Sequence, residues 1–193
     1  MKYYFSLLLL IITFSESFSQ EKNDFIGFSQ SDFYLSGQIN YAKTTSENFS
    51  QSAFNFQPTV GYFLDNSNAL ELGLIVGLNE AGDSETNSFG VQTSLIHFFN
   101  TENKFSFTLG VGLAYVSTKF DNGFQGDYTS NLFQGAVFPG VNYFVSDNFS
   151  LIANLGVLSY VTEKGDFQGA EDVNSFNINL NLSNINFGVL YKF

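Results

Sequence analysis

The chain has 193 residues, with seven Lys, no Arg and no cysteine against 18 Asp and Glu, for a net charge of −11 at pH 7. That balance excludes a nucleic-acid partner, which needs clustered basic side chains, and the missing thiols exclude disulfide frameworks, thiol catalysis and anchoring through an acylated N-terminal cysteine. Twenty-five Phe and ten Tyr must be placed somewhere away from water.

Residues 1–19 read as a secretory signal peptide: Lys2 supplies the positive start, Leu7 to Phe14 the apolar stretch, and Ser17 and Ser19 a small-x-small cleavage site near Ser19. A polar lead follows at 20–31. Beyond it no run approaches the roughly 18 consecutive apolar residues of a membrane helix, so any passage through a membrane must use strands.

Eight runs of period two follow, at 32–43, 53–64, 69–79, 88–99, 105–119, 132–145, 149–162 and 175–193, which together make the barrel domain 32–193. The first alternates Phe33, Leu35, Ile39 and Tyr41 with Ser36, Gln38 and Asn40. In the third, Leu70, Leu72 and Leu74 share one face and Glu71 takes the other. The fourth carries His97, the one histidine. In the seventh, Phe149, Leu151, Leu155 and Val157 take the apolar face and Gly156 the other. The eighth changes parity, from Phe176, Ile178, Leu180 and Leu182 to Ile185, Phe187, Val189, Tyr191 and Phe193, which predicts a β-bulge near Ser183 or Asn184. The other reading of that change is an upper half standing above the membrane. Connections after the second, fourth and sixth strands are short (DNSN, NTENK, SDN), and the others are longer and acidic. An up-and-down meander gives that alternation, and eight antiparallel strands close without an exposed edge.

The apolar register decides the environment. Of its 45 positions 39 are apolar and none is charged, too many large side chains for the interior of an eight-stranded barrel. A soluble sandwich would leave Gly, Ser, Asn and Gln outside with almost no charge, whereas soluble surfaces are about 25 to 35% charged. Turned outward, the large face meets lipid and the small polar face fills a narrow lumen.

The repeated segments YFLDNSNALELG, HFFNTENKFSFTLG and YFVSDNFSLIANLG, with the closing NFGVLYKF, carry a resemblance. The chain resembles the small eight-stranded outer-membrane β-barrels of the OmpX and OmpA-membrane-domain type. The resemblance implies an all-β, eight-stranded antiparallel up-and-down transmembrane β-barrel in the outer membrane of a Gram-negative bacterium. It implies a monomer surrounded by lipid and lipopolysaccharide, and an assembly signal in Phe187, Val189, Tyr191 and Phe193 read by the barrel-assembly machinery. The role it implies is non-enzymatic: structural, or recognition of an extracellular protein or surface ligand through the long loops. A narrow channel or a carrier of small apolar molecules is the alternative, and an envelope lipid-modifying enzyme a third.

Candidate chemistry is sparse. Any triad or imidazole site must include His97, which lies beside a short turn and reads better as an interfacial side chain. No catalytic, cofactor or metal site is expected. Glu71 and Lys192 are the only charges in the inward register, and a buried charge needs a partner, so a lumen ion pair between them is one expectation, with a hydrated carboxylate at the barrel mouth the other reading. Glu80, Asp83, Glu85, Asp121, Asp127, Glu163, Asp166, Glu171 and Asp172 crowd the long connections without the spacing of a calcium loop. A solvated acidic surface is the reading, with lipopolysaccharide-bridging cations the alternative.

Overall fold

The computed structural model describes residues 27–46, 49–121, 127–167, 169–180 and 186–193. The expected signal peptide, most of the lead, and the bulge positions Ser183 and Asn184 lie outside the described residues. Every regular element among those described is a strand: β1 Phe33–Ser46, β2 Phe49–Phe63, β3 Asn68–Ala81, β4 Ser84–Phe98, β5 Phe105–Asp121, β6 Tyr128–Phe144, β7 Phe149–Asn154, β8 Val157–Gly165, β9 Val173–Asn179 and β10 Asn186–Lys192. All pairings are antiparallel. The ring runs β1 to β6 in order, then β7 and β10, and closes where Tyr34 faces Lys192 and Leu35 faces Tyr191. The segments β7 and β8 together occupy the seventh position of the barrel, and β9 and β10 the eighth.

The alternation in sequence becomes two faces of one wall. Phe33, Leu35, Leu72, Phe89, Phe107, Val111, Phe133 and Leu151 point out and are exposed, while Thr59, Ser106, Ser130 and Ser150 point in and are buried. Inward glycines make room for inward rings. Tyr34 lies directly over Gly61, where a Cβ would stand 2.0 Å from the ring, and Phe138 covers Gly110 in the same way.

Three features differ from the sequence reading. First, the seventh strand breaks after Asn154 and resumes at Val157 with its faces exchanged. Leu158 and Tyr160 are the exposed apolar residues of β8, while Val157 lines the lumen. The pairing explains it: Asn154 faces Gly140 but Leu158 faces Val137, so one extra residue has entered strand seven, a β-bulge. Gly156 sits there because a Cβ would lie 2.4 Å from the Asn179 carbonyl oxygen.

Second, the described residues of the eighth position form two segments, β9 paired with β8 and β10 paired with β7 and β1, rather than one run. Third, the long connections are mostly strand. At the top β1 ends two residues before β2 begins, and β3 turns into β4 through Gly82 and Asp83 alone. Ladder hydrogen bonds simply continue above the membrane, as in the pairs Ala81–Ser84, Glu80–Glu85 and Lys119–Thr129. In the connections after the first and third strands the described residues are therefore largely paired sheet.

The opposite turns are tight. In DNSN the Asp65 carboxylate accepts from the Asn68 side-chain amide at 3.1 and 2.8 Å and from the backbone N–H groups of Ser67 and Asn68, both at 2.8 Å. These bonds, the Asn68 amide first, hold its pKa below the usual aspartate range. A depressed carboxylate stabilises the fold fully above its unfolded pKa of about 3.9 and loses that contribution as pH falls through the folded value. Asp65→Ala is expected to be less stable than wild type above about pH 4, with the gap closing in more acidic buffer. Thermal unfolding of both proteins across that range measures it, and a gap that persists at low pH contradicts the turn's role.

Candidate functional site

The lumen has a sealed base. Phe28, from the end of the lead, is inserted among Phe63, Phe98, Phe144 and Tyr34, and with Ala69 and Leu190 these form the buried apolar cluster of the protein. Its ring stacks on Phe63 with centroids 4.3 Å apart and meets Phe98 and Phe144 at 4.9 Å. Each such pair adds about 0.5 to 1.5 kcal/mol to the burial itself. Backbone bonds hold the insert: Ser31 N–H donates to Phe63 O and Phe63 N–H to Asp32 O, both 2.9 Å. Sequence reasoning took the lead as polar and missed Phe28. The available signal was one aromatic residue just before the polar run Ser29 to Asp32.

Lys192 belongs to this base. Its ammonium donates to the Gly27 carbonyl, lies 3.8 Å from the Asp32 carboxylate and sits 5.8 Å from the centre of the Phe144 ring. Glu71 lies higher, in the lumen, where Oε1 accepts from the Tyr34 hydroxyl at 2.7 Å and Oε2 from Ser94 Oγ at 2.9 Å. The expected Glu71 to Lys192 ion pair is therefore not formed. The lead brings Lys192 its own carboxylate and carbonyl, and two hydroxyls reach Glu71 first. Among the described residues the ion pairs are Lys119–Asp127, Lys164–Asp172 and Lys192–Asp32.

Above Glu71 the interior is open. A chamber of about 780 Å³ is lined by Gln38, Asn40, Asn55, Gln57, Gln92, Gln134 and Asn154, with Phe138 and Ile152. Asn and Gln each offer both donors and acceptors, so the chamber wall can bond polar groups of either kind. Glu71 is its one charged residue.

Outside the membrane the paired rim forms a second candidate surface. Phe120 and Tyr128 face each other across β5 and β6 and stack at 4.7 Å, and Phe167 packs edge-on to Tyr128 at 5.6 Å. Lys119 and Asp127 make a 2.7 Å ion pair beside them. Glu80 faces Glu85, and Glu85 faces Asp121. No group of three or more His, Asp or Glu among the described residues has a metal-binding arrangement.

His97 is at the other end. Its Nδ1 is 3.0 Å from Asn68 Oδ1 and its ring meets the Phe99 edge at 4.4 Å. The pair of rings belongs to the lower aromatic row with Phe33, Tyr62, Phe105 and Tyr143. Phe187, Val189 and Phe193 are exposed on the outer face of the eighth position, and Tyr191 packs edge-on to Phe193 at 5.2 Å.

A wall apolar outside, polar inside and banded by aromatic rows is the arrangement that lipid imposes on a barrel. The sequence profile of the Outer membrane protein beta-barrel domain matches residues 5–193. The chain belongs to this family. Its place is the outer membrane of a Gram-negative cell. Among solved structures this outer-membrane barrel is similar to Neisserial surface protein A, at 23% identity and TM-score 0.53, over 83% of this chain and 97% of that one. It is also similar to OprG from Pseudomonas aeruginosa, at 12% identity and TM-score 0.55, over 88% and 99%. The N-terminal barrel domain of Pseudomonas aeruginosa OprF follows at 17% and 0.51, over 85% and 98%. No curated protein sequence matches at comparable significance. These likenesses carry the fold, and the outer-membrane barrel's particular role rests on its own residues.

Two outcomes follow for the base. Phe28→Ala should lower the free energy of unfolding in detergent by about 3 to 5 kcal/mol, measured by urea titration with circular dichroism. Glu71→Ala and Lys192→Ala should be additive within about 0.5 kcal/mol, because they share no partner. A larger coupling energy in the double variant contradicts the separate pairings.

Proposed function

We propose that this outer-membrane barrel is a non-enzymatic surface-interaction protein that acts through the sheet it raises above the outer leaflet. The observation that carries the reading is the rim. Strands β3 to β6 continue as paired ladder above Phe89, Tyr115 and Phe133; β5 and β6 carry Phe120 and Tyr128, and Phe167, just past β8, packs on Tyr128 beside a fixed ion pair. Aromatic side chains held rigidly contribute much of the energy of protein recognition at low entropic cost. An extracellular protein or surface ligand is the partner, and lipid and lipopolysaccharide are the surroundings of the monomer. The row Phe187, Val189, Tyr191 and Phe193 is assigned to recognition by the barrel-assembly machinery.

The base supports the same reading against a narrow channel. Water and ions crossing the lumen must pass the packed rings of Phe28, Phe63, Phe98 and Phe144, with the Lys192 ammonium held beside them. In planar bilayers the full chain is expected to add no discrete conductance steps. Regular steps in the wild type that disappear on blocking the chamber favour the channel. The rim is tested in parallel with the triple variant Phe120→Ser, Tyr128→Ser, Phe167→Ser. Cells carrying it should lose adhesion to the surfaces that wild-type cells bind, while the purified barrel keeps its heat stability.

A further inference from the structure

Glu71 marks the depth to which solvent reaches along β3. It is half-buried, while Ala69 beneath it is fully buried, as are Tyr34 on β1 and Phe63 on β2. Its carboxylate therefore forms part of the chamber floor. Every other side chain lining the chamber is neutral, and none of them is Lys. An ionised carboxylate offers about four acceptor sites. Two are taken, by the Tyr34 hydroxyl and by Ser94 Oγ.

The groups around Glu71 suit an organic molecule better than a metal ion. Calcium takes about six to eight oxygen ligands, and the floor supplies a single carboxylate. The chamber volume of about 780 Å³ falls within the range of roughly 300 to 1,000 Å³ usual for small-molecule sites. Beside the carboxylate the Gln92 side chain lies across Gly73, where a Cβ would stand 2.9 Å from its Nε2, and reaches Thr59 Oγ1 at 3.5 Å. On the other side Ser94 faces Gly112, and a Cβ there would stand 3.4 Å from Cε1 of Phe138. Carboxylate, amide and ring edge thus follow one another on the paired strands β2 to β6.

Charge selects the ligand. A carboxylate in a narrow lumen walled off by hydrocarbon is costly without a positive partner, and Lys192 is engaged below the floor by Gly27 and Asp32. Around the mouth Glu80, Glu85, Asp121 and Glu163 add negative charge, and Lys119 and Lys164 there are each paired with an aspartate. Such a field concentrates cations at the entrance and repels anions.

We infer that the chamber binds a small organic amine, with its ammonium on Glu71 and its hydroxyl- or amide-bearing body among Gln57, Gln92 and Gln134. An ammonium has three donors and no acceptor. It fills the open acceptor sites of Glu71 and bonds the side-chain carbonyl of Gln92, while its methylene groups rest against Phe138. The body exchanges hydrogen bonds with the amides higher in the wall.

The test uses the full chain in lipid nanodiscs, titrated with aminobutanol, butanediol and hydroxybutyrate and followed by backbone and side-chain amide NMR shifts. These probes are nearly equal in length and carry one positive charge, none and one negative charge. Expected are saturable shifts at Gln92, Ser94 and Gly112 with the amine, at an affinity about ten-fold or more above that of the diol, the size of one charge-assisted hydrogen bond. The anion should give none. Glu71→Gln keeps the size of the side chain and should bind the amine no better than the diol, with heat stability unchanged. Equal affinity of the wild type for amine and diol overturns the inference, and that comparison stands without the variant. Amine shifts that persist in a folded Glu71→Gln protein overturn it, as do shifts confined to the carboxylates of the mouth. Displacement of the amine by an equal concentration of sodium ions would show an inorganic cation site and overturn it as well.

Discussion

A strand can lie in hydrocarbon only if its backbone N–H and C=O groups are paired, and nearly every feature of this barrel follows from that requirement. Closure of β1 on β10 supplies the pairing that an open sheet would lack at its edges. Once closed, the wall has one lipid face and one narrow interior, so large apolar side chains must alternate with small or polar ones. Charged residues are confined to the two ends, with Glu71 the exception that proves most informative. It is tolerated because Tyr34 and Ser94 each donate to one of its oxygens.

The barrel is closed at one end and open at the other. At the base, Phe28 converts the lead from a tether into a plug, and Lys192 fastens the plug through Gly27 and Asp32. Ordering this segment costs conformational entropy, about 1 to 2 kcal/mol per residue for the backbone alone. Burial of a Phe ring, its aromatic contacts and the backbone bonds to Phe63 offset that loss. Above the plug the interior changes from apolar to amide-lined, which suits a site that receives polar groups from outside. The sealed floor and the open chamber describe a cup with a rigid rim.

The irregular segments are concentrated in the seventh and eighth positions. One extra residue at Leu155 and Gly156 exchanges the faces of strand seven, and β9 follows β8 in the new register. The lower halves, β7 and β10, keep the old one. Such a bulge bends a strand and re-aims its side chains.

Strand number, up-and-down order, the lipid-facing residues and the tight turns were determined by the sequence itself, because period-two alternation and turn chemistry are local properties. Phe144 closing the base was legible for the same reason: its parity with Tyr143 and Val145 left it nowhere else to point. The choice of partners was not legible. Glu71 and Lys192 share a face and an end in any register count, yet the lead that separates them folds back from outside the alternating pattern, and no periodicity marks Phe28 as its anchor. In strand seven the unbroken odd-numbered run to Val157 concealed the bulge, which shows only when Val137 is found opposite Leu158. A strand's own residues specify which way its side chains point, but only the assembled ring decides whether its edge has a neighbour.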